Sequence, residues 1–531
     1  MKRRSLHLRR LILVLLGMLT VAVIGCGTRL TEKIPITTSS ELAREYFHKA
    51  EELAGCYHLG EAREYYLKAI KEDPDFAVAY CCLAFVTPNT EEVFERLETA
   101  DGLSRPQNGN PPRQSKLGLS LSGILSEDAS ANMINEASKR VNHVSKGERL
   151  WILGYNAMLA HDQSKFYDCM SKLVEMYPKD GRAHCMLGDY YWRNGDHRSA
   201  AEQFRIATEL NPSDIWAFNM LGYNYALVDS YDLAKQAFKQ CIALRPDEPN
   251  PYDSYAELLL RTGQHDESIT NYQHALSLDS TFINARSGIA ANLNYLNRHE
   301  EARDYLDWPS DSSLTIEARR MLQLSKAVSF LDQGNTPAAV EALEQRCRLA
   351  NQSGTLYESA LDHDAIGRIL VEQGELAAAE TNFRMAKEIV EQSSLPPNVI
   401  ERYKRFFRMR MNCYVAPLRG DITDTDTFIS ELKKTPGAAD DADLQRALNL
   451  CEAIRALAAE DFDTAIALFE QDKRGDPSIA YWLGHAYEQV GRIEDARQAY
   501  ESITRQRLLN SIGLAMMRPR AQAALERLTA S

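Results

Sequence analysis

Cysteine and histidine have the widest chemical reach in this sequence, and their spacing decides what chemistry is available. Ten cysteines stand at 26, 56, 81, 82, 169, 185, 241, 347, 413 and 451, and no two form a C-x-x-C pair. Redox couples and zinc sites usually need such a pair, and disulfide scaffolds need a denser set. Most of the ten are therefore expected to be small buried apolar residues. Cys81 and Cys82 read as helix residues, because a disulfide between neighbours is strained. The twelve histidines are scattered. His184 beside Cys185 is the nearest approach to a ligand pair, but adjacent helix residues point in different directions. No metal and no cofactor is expected. Gly118-Leu119-Ser120-Leu121-Ser122 narrowly misses a nucleophile elbow and lacks the strand that precedes one. Phosphate-cradling and zinc-protease motifs are absent. Acid–base work needs a pocket that shifts a pKa, which no pattern here indicates. The sequence thus predicts no enzyme; a hydrolase would have to sit in 98–145 or 391–440.

Cys26 is set apart by what precedes it. Lys2, Arg3, Arg4, Arg9 and Arg10 make a basic start, and Leu11 to Ile24 form an apolar run. As a helix that run would span roughly 21 Å at about 1.5 Å per residue. This is short of the roughly 30 Å hydrocarbon core and suits the apolar segment of a signal peptide. The run ends in Val23-Ile24-Gly25-Cys26, which resembles the lipobox of bacterial lipoproteins. The resemblance covers only this segment. It implies that 1–25 is a cleaved lipoprotein signal peptide, that cleavage follows Gly25, and that Cys26 carries diacylglyceryl and palmitate-type chains. Each buried CH₂ contributes about 0.8 kcal/mol, so two or three chains would hold the protein at a membrane. Gly27 after the cysteine, in place of Asp, implies the outer membrane facing the periplasm. Residues 26–40 then form the lipidated cysteine and a polar, β-branched tether.

The elements beyond the tether repeat. Pro178, Pro212 and Pro246 are 34 apart, as are Gly154, Gly188, Gly222, Ala256 and Ala290, and Phe166, Ala200, Ala234, Ser268 and Ala302. In 181–214, Leu187, Gly188 and Tyr191 share one helical face. Asn194-Gly195-Asp196 breaks the helix, Ala200, Phe204 and Ala207 line a second, and Pro212 ends it. Gly188 and Ala200 are small where two helices approach, and one hairpin cannot bury this face alone. The period and signature resemble the tetratricopeptide repeat, whose fold is an array of stacked helical hairpins. The expected fold is all-α: a solenoid of about eleven or twelve antiparallel hairpins forming an extended curved wall with no enclosed pocket. Its expected segments are N-terminal hairpins over 41–97, an irregular insert over 98–145 and five regular repeats over 146–310. Repeat-like hairpins over 311–390, an irregular hairpin over 391–440, and final repeats with a capping helix over 441–531 complete it.

The charge limits the partners. Without the five basic residues of the first 25, 56 basic side chains face 74 acidic ones. A balance of this sign excludes non-specific nucleic-acid binding. The repeat resemblance implies a concave groove, lined by first helices, that takes an extended peptide or a partner helix. The groove columns would present Trp151, Tyr155, Asp189, Trp192, Trp216, Asn219, Tyr223, Asp253, Glu257 and Arg261, aromatics anchoring and carboxylates orienting the partner. The Lys/Asn clamp of some family members is not visible. The expected function is a membrane-anchored protein–protein interaction scaffold or adaptor of the cell envelope, in secretion, polysaccharide export or outer-membrane assembly. The alternative is a glycan- or nutrient-binding lipoprotein whose groove tryptophans stack on sugar rings.

Overall fold

The computed structural model describes residues 33–86, 127–160, 162–307, 314–393, 397–435, 442–472 and 475–530; Cys26 and Gly25 lie outside them. The helices run in hairpin order: α1 Glu41–Gly55, α2 Leu59–Glu72, α3 Ala77–Val86, α4 Glu127–Lys139, α5 Lys146–Leu159, α6 Gln163–Met176, α7 Gly181–Arg193, α8 His197–Leu210, α9 Ile215–Leu227, α10 Tyr231–Leu244, α11 Pro249–Arg261, α12 His265–Leu278, α13 Ile283–Tyr295 and α14 His299–Leu306. There follow α15 Ile316–Asp332, α16 Thr336–Ser353, α17 Leu356–Glu372, α18 Leu376–Glu391, α19 Pro397–Met409, α20 Ile422–Lys433, α21 Ala442–Ala458, α22 Phe462–Phe469, α23 Pro477–Gln489, α24 Ile493–Arg505 and α25 Ile512–Ala530. Each odd helix packs on the even one after it, except that α20 packs on residues 410–418, which follow α19, giving twelve hairpins and a closing helix among the described residues. No strand occurs among those residues.

Local chemistry sets the hairpins. Asp180 caps α7 by accepting from the Arg182 N–H, and Asp196 caps α8 by accepting from Ser199. Between them Gly195 takes φ +75°, a conformation open to glycine. Packing then follows one spacing. A Cβ added to Gly188 would lie 2.9 Å from Phe204, one on Gly222 2.7 Å from Phe238, one on Gly367 2.4 Å from Phe383, and one on Gly484 2.6 Å from Tyr500. In all four hairpins the ring stands sixteen places after the glycine and is almost wholly buried. Ala256, Ala290, Ala327 and Ala453 hold the same register against Tyr272, Leu306, Leu343 and Phe469. Each fully buried ring contributes about 1.5–3 kcal/mol. The small residue admits it only where the helices nearly touch.

Three expectations are corrected. First, residues 127–139 are not part of an irregular insert: α4 packs along α3 as its return helix, with Ile134 and Ala137 buried. Residues 87–126 separate the halves of one hairpin, which hides its signature. Second, the expected tether is bound to the body from residue 33 onward. Ile34 is 2% exposed and its N–H donates to Asp180 Oδ2 at 2.7 Å, while the Thr37 N–H donates to Glu148 Oε1 at 2.8 Å. Thr38 and Ser39 donate to Asp73. Residues 33–40 are thus a strap laid over α2, α5 and α7. Third, the wall is not extended throughout. α25 packs on α23 and α24 and also on α15, so the second half of the chain curls until its end meets its beginning.

The expected irregular hairpin in 391–440 is present as a bent element. α19 passes into a π-helical run, Arg410–Val415, and then Ala416–Leu418 before α20 returns. Cys413, in the π run, is disulfide-bonded to Cys451 on α21. Cys81, Cys169, Cys185, Cys241 and Cys347 are buried thiols, and Cys81 and Cys82 are helix residues of α3.

Candidate partner-binding face

The inner face of the solenoid is built by the odd-numbered helices, in two arcs. The first runs from α5 to α13. Each of its odd helices presents a row of positions around the small lock residue, and the ten groove candidates lie on these rows.

Trp151 is 5% exposed, with the Arg182 guanidinium 6.0 Å from its ring. Tyr155 packs against Phe85, ring centroids 4.4 Å apart and tilted by 55°. Asp189 is buried and accepts from Arg193 Nε at 2.9 Å, and Arg193 lies 5.7 Å from the Trp192 ring. Trp216 meets Phe204 edge-on at 5.5 Å. Asn219 is 3% exposed and donates to the Tyr57 hydroxyl at 3.1 Å. Tyr223 donates to Glu257 at 3.1 Å and lies 3.2 Å from the Ser254 hydroxyl; burial, then Glu257, pushes its phenol well above the ordinary range. Asp253, Glu257 and Arg261 are half-buried on α11. The structure brings Tyr223 into contact with Glu257, and Asp189 into line with Trp192 through Arg193. It spreads the rest along four helices without a common cavity.

Sequence reasoning missed Tyr57. The turn joining α1 to α2 sits against three helices of the first arc, up to 190 residues away in sequence. Gly55 faces Ile215, Tyr57 reaches Asn219, and His58 Nε2 lies 2.8 Å from Glu248 Oε2. Arg182 and Arg245 approach Glu51 and Glu52 at 3.7 and 3.4 Å. Tyr57 holds φ +63°, unusual for a side chain of its size. A turn of Gly55-Cys56-Tyr57-His58, with Tyr57 where other hairpins carry Gly, Asp or Asn (Gly195, Asp229, Gly263, Asn297), was the available signal.

The second arc, α15 to α24, has its inner face filled. Ile512, Ala515 and Met516 of α25 join a buried cluster with Leu324, Val328, Leu331, Ile366 and Val415. The polar contacts are specific. Arg518 is 4% exposed, donates from Nε to Asp332 Oδ1 at 2.7 Å and bonds the same carboxylate through Nη2. It also donates to the Asn294 carbonyl at 2.9 Å. Arg520 pairs with Glu372. The Ser325 hydroxyl donates to Asn510 Oδ1 at 2.9 Å, and the Leu508 N–H donates to the Tyr295 hydroxyl at 2.7 Å. Tyr295, Asp332 and Glu372 each stand five places after a lock residue, the column that carries Leu159, Arg193, Leu227 and Arg261 in the first arc.

No group of three or more His, Cys, Asp or Glu able to hold a metal occurs among the described residues. No helix among them is long and apolar enough to cross a membrane.

Models of the tetratricopeptide repeat match residues 169–215 and 185–249, 250–282 and 456–528. Curated relatives include anaphase-promoting complex subunit 3 of Schizosaccharomyces pombe, 19% identical over 300 residues that cover 55% of this chain and 42% of that one. Tetratricopeptide repeat protein 8 of Caenorhabditis elegans is 26% identical over 37% of this chain and 39% of its own. The human protein O-mannosyl-transferase TMTC1 is 25% identical over 38% of this chain and 23% of its own. The chain therefore spans less than half the length of each of these relatives. Among solved structures, a tetratricopeptide repeat protein from Parabacteroides merdae is 15% identical, covering 49% of this chain and 98% of that one at a TM-score of 0.36. YrrB, described as a TPR protein with an unusual peptide-binding site, is 16% identical over 34% of this chain and 91% of its own at 0.25. The chain is thus an all-α solenoid of stacked helical hairpins, and its segments 169–282 and 456–528 are similar to tetratricopeptide repeats.

Proposed function

We propose that this chain is a scaffold or adaptor of the bacterial cell envelope, lipid-anchored through Cys26, that holds a protein partner in its first arc and catalyses nothing. One observation carries the choice of arc: the chain's own α25 lies along the inner face of the second arc, so that face is already satisfied. The matching columns of the first arc bear Trp192, Trp216, Tyr223, Glu257 and Arg261, aromatic and charged side chains of the kind that anchor protein interfaces. Their carboxylates suit an extended peptide or helix with basic side chains. A complex subunit among the relatives fits the same role.

The anchor reading draws on the Leu11–Cys26 segment. The Cys413–Cys451 disulfide supports it, since such bonds persist in oxidising compartments such as the periplasm. Secretion, polysaccharide export and outer-membrane assembly are the machines such a scaffold would serve, on the periplasmic side of the outer membrane.

The test places a photo-crosslinking amino acid at Trp192 or at Leu331 of the full chain in its host. Protein adducts are expected from position 192 and not from 331, where α25 covers the site. Adducts equal at both positions, or none at either, would sink the assignment. Saturable oligosaccharide affinity, lost in Trp192→Ala and Trp216→Ala, would establish the glycan-binding alternative in its place.

A further inference from the structure

We propose that the face bearing Lys33, His143, Lys146 and Arg149 lies against a bilayer with anionic headgroups, as a second membrane contact beside the lipid anchor. The proposal rests on the reading that the amino-terminal segment is membrane-attached.

The four side chains are exposed, and none has a hydrogen bond or ion pair among the described residues. They are gathered by the strap. The Ser145 hydroxyl donates to the Pro35 carbonyl at 3.0 Å, and the Ser145 N–H lies 3.2 Å from the Thr37 hydroxyl. A Cβ on Gly147 would lie 2.9 Å from Ile34 Cγ2, so Lys146 and Lys33 flank a contact that only glycine permits. Arg149 follows Lys146 by three places on α5 and shares its side of the helix.

Acidic groups nearby are engaged. Glu148 and Asp180 are buried and hold the strap. Glu136 pairs with Lys139 and Arg140, and Asp75 lies 3.4 Å from Arg140. The patch is therefore positive on a body where, beyond residue 25, 74 acidic side chains face 56 basic ones. That contrast names the partner: an anionic surface attracts this face while the rest of the body is repelled.

Chain length brings the surface within reach. Seven peptide links separate Cys26 from Lys33, and at about 3.3–3.6 Å per residue they extend at most ~25 Å. The strap fixes the end of that link beside the patch, so an anchored body would present this side to the headgroups. Each Lys or Arg near an anionic surface strengthens association on the order of fivefold, within a Debye length of about 8 Å.

The experiment uses the full chain, processed in its host and reconstituted into vesicles containing a tracer lipid with a photoactivatable headgroup. The vesicles are phosphatidylcholine alone or phosphatidylcholine mixed with phosphatidylglycerol. Crosslinked peptides are identified by mass spectrometry, and the mass of the Cys26 peptide reports the anchor. Crosslinks are expected on the peptides of Lys33 and of Lys146–Arg149 in the mixed vesicles. They should fall on the order of a hundredfold in phosphatidylcholine alone and in K33Q/K146Q/R149Q, whose helical spectrum checks folding. Lipidated protein whose crosslinks are spread over the body, or are equal in both vesicles, overturns this proposal and leaves the anchor standing. Capture of an acidic protein by the patch, with no headgroup crosslinks, does the same. Protein that carries no lipid and does not float with vesicles removes anchor and proposal together.

Discussion

Five places beyond each lock residue, the first arc carries Leu159, Arg193, Leu227 and Arg261, while Tyr295, Asp332 and Glu372 hold that column toward the second. The first set lies on the face where a partner is proposed. The second set is spent on α25, through Arg518, Arg520 and the backbone at Leu508. Both regions use the same ring-on-glycine lock, so the difference does not come from how a hairpin forms. It comes from what the column offers. Alternating basic and aliphatic side chains leave a surface, whereas a phenol and two carboxylates, facing Arg518 and Arg520 of α25, make a closure. The first arc is met at one edge by the half-buried turn at 55–58.

The sharpest way to break this comparison is to cut each closure at its charged contact. Asp332 and Arg518 are both 5% exposed at the side chain. Arg518→Ala leaves the buried Asp332 carboxylate with His299 Nε2, 3.0 Å away, as its remaining partner, which should cost up to about 3–5 kcal/mol. Arg245 and Glu52, at the edge of the first arc, are 32% and 51% exposed. Screening limits Arg245→Ala there to about 0–1 kcal/mol. Urea unfolding of the two variants, with hydrogen exchange over Ile512–Ala530, reads both. Equal losses would mean that the two closures do not differ in kind.

Next in size is the disulfide, which lies in the second arc. Cys413 and Cys451 are 38 residues apart, and closing a loop of that length should stabilise by about 2–4 kcal/mol. Cys413→Ala with Cys451→Ala should therefore lower the stability of the second arc and leave exchange in α7–α12 unchanged. A loss shared by both arcs would show that they unfold as one unit.

The locks themselves provide the control. Gly222→Ala puts a methyl 2.7 Å from Phe238, and Gly484→Ala puts one 2.6 Å from Tyr500. Overpacking of about 1–3 kcal/mol should outweigh the ~1 kcal/mol gained from helix propensity. Denaturation should show similar losses in both arcs, each recovered in part by trimming the ring, as in Phe238→Leu. A large effect in one arc alone would mean that the repeat rule does not carry the whole solenoid.

The repeat rule was legible in the sequence because it is local. A glycine and a ring sixteen places apart, an aspartate opening several second helices (Asp162, Asp196, Asp421 and Asp461) and a proline after some of them recur often enough to be read directly. Four features were not legible. The strap's partners Asp73, Glu148 and Asp180 look like ordinary loop and cap acids, and only the fold brings them to residues 34–39. α4 carries Ile134 and Ala137 on its buried face, but residues 87–126 displace it from the 34-residue frame. The closure by α25 joins residues up to 224 apart. Its one trace in the sequence is Arg518-Pro519-Arg520 directly after the apolar stretch Ile512–Met517, a sign that a buried acid waits elsewhere. The disulfide left none, since Cys413 and Cys451 fall in the least regular hairpin and match no spacing.

The smallest expected effect has opposite signs at the two closures, and pH reads it. His58 lies on the turn of the first arc, and its pKa is raised above the ordinary 6.5 by its hydrogen bond to Glu248, with Glu61 adding to it. A raised histidine pKa stabilises fully below 6.5 and loses that contribution as pH climbs through the folded value. The ring is 35% exposed, so screening holds the effect to a few tenths of a kcal/mol, roughly. His265 stacks on Tyr295 beside the second closure, and its pKa is lowered, by burial first and then by Arg507 and Arg518. A lowered histidine pKa costs nothing above 6.5; as pH falls below that, the unfolded chain gains a proton that the folded chain resists, and stability is lost. Between pH 7.5 and pH 5.5 the turn at 55–58 should become better protected from hydrogen exchange while residues 508–530 become less so. His58→Gln should abolish the first slope and His265→Gln the second. Slopes of the same sign in both places would mean that the closures respond to net charge, and that the two histidines report nothing about how each arc is held.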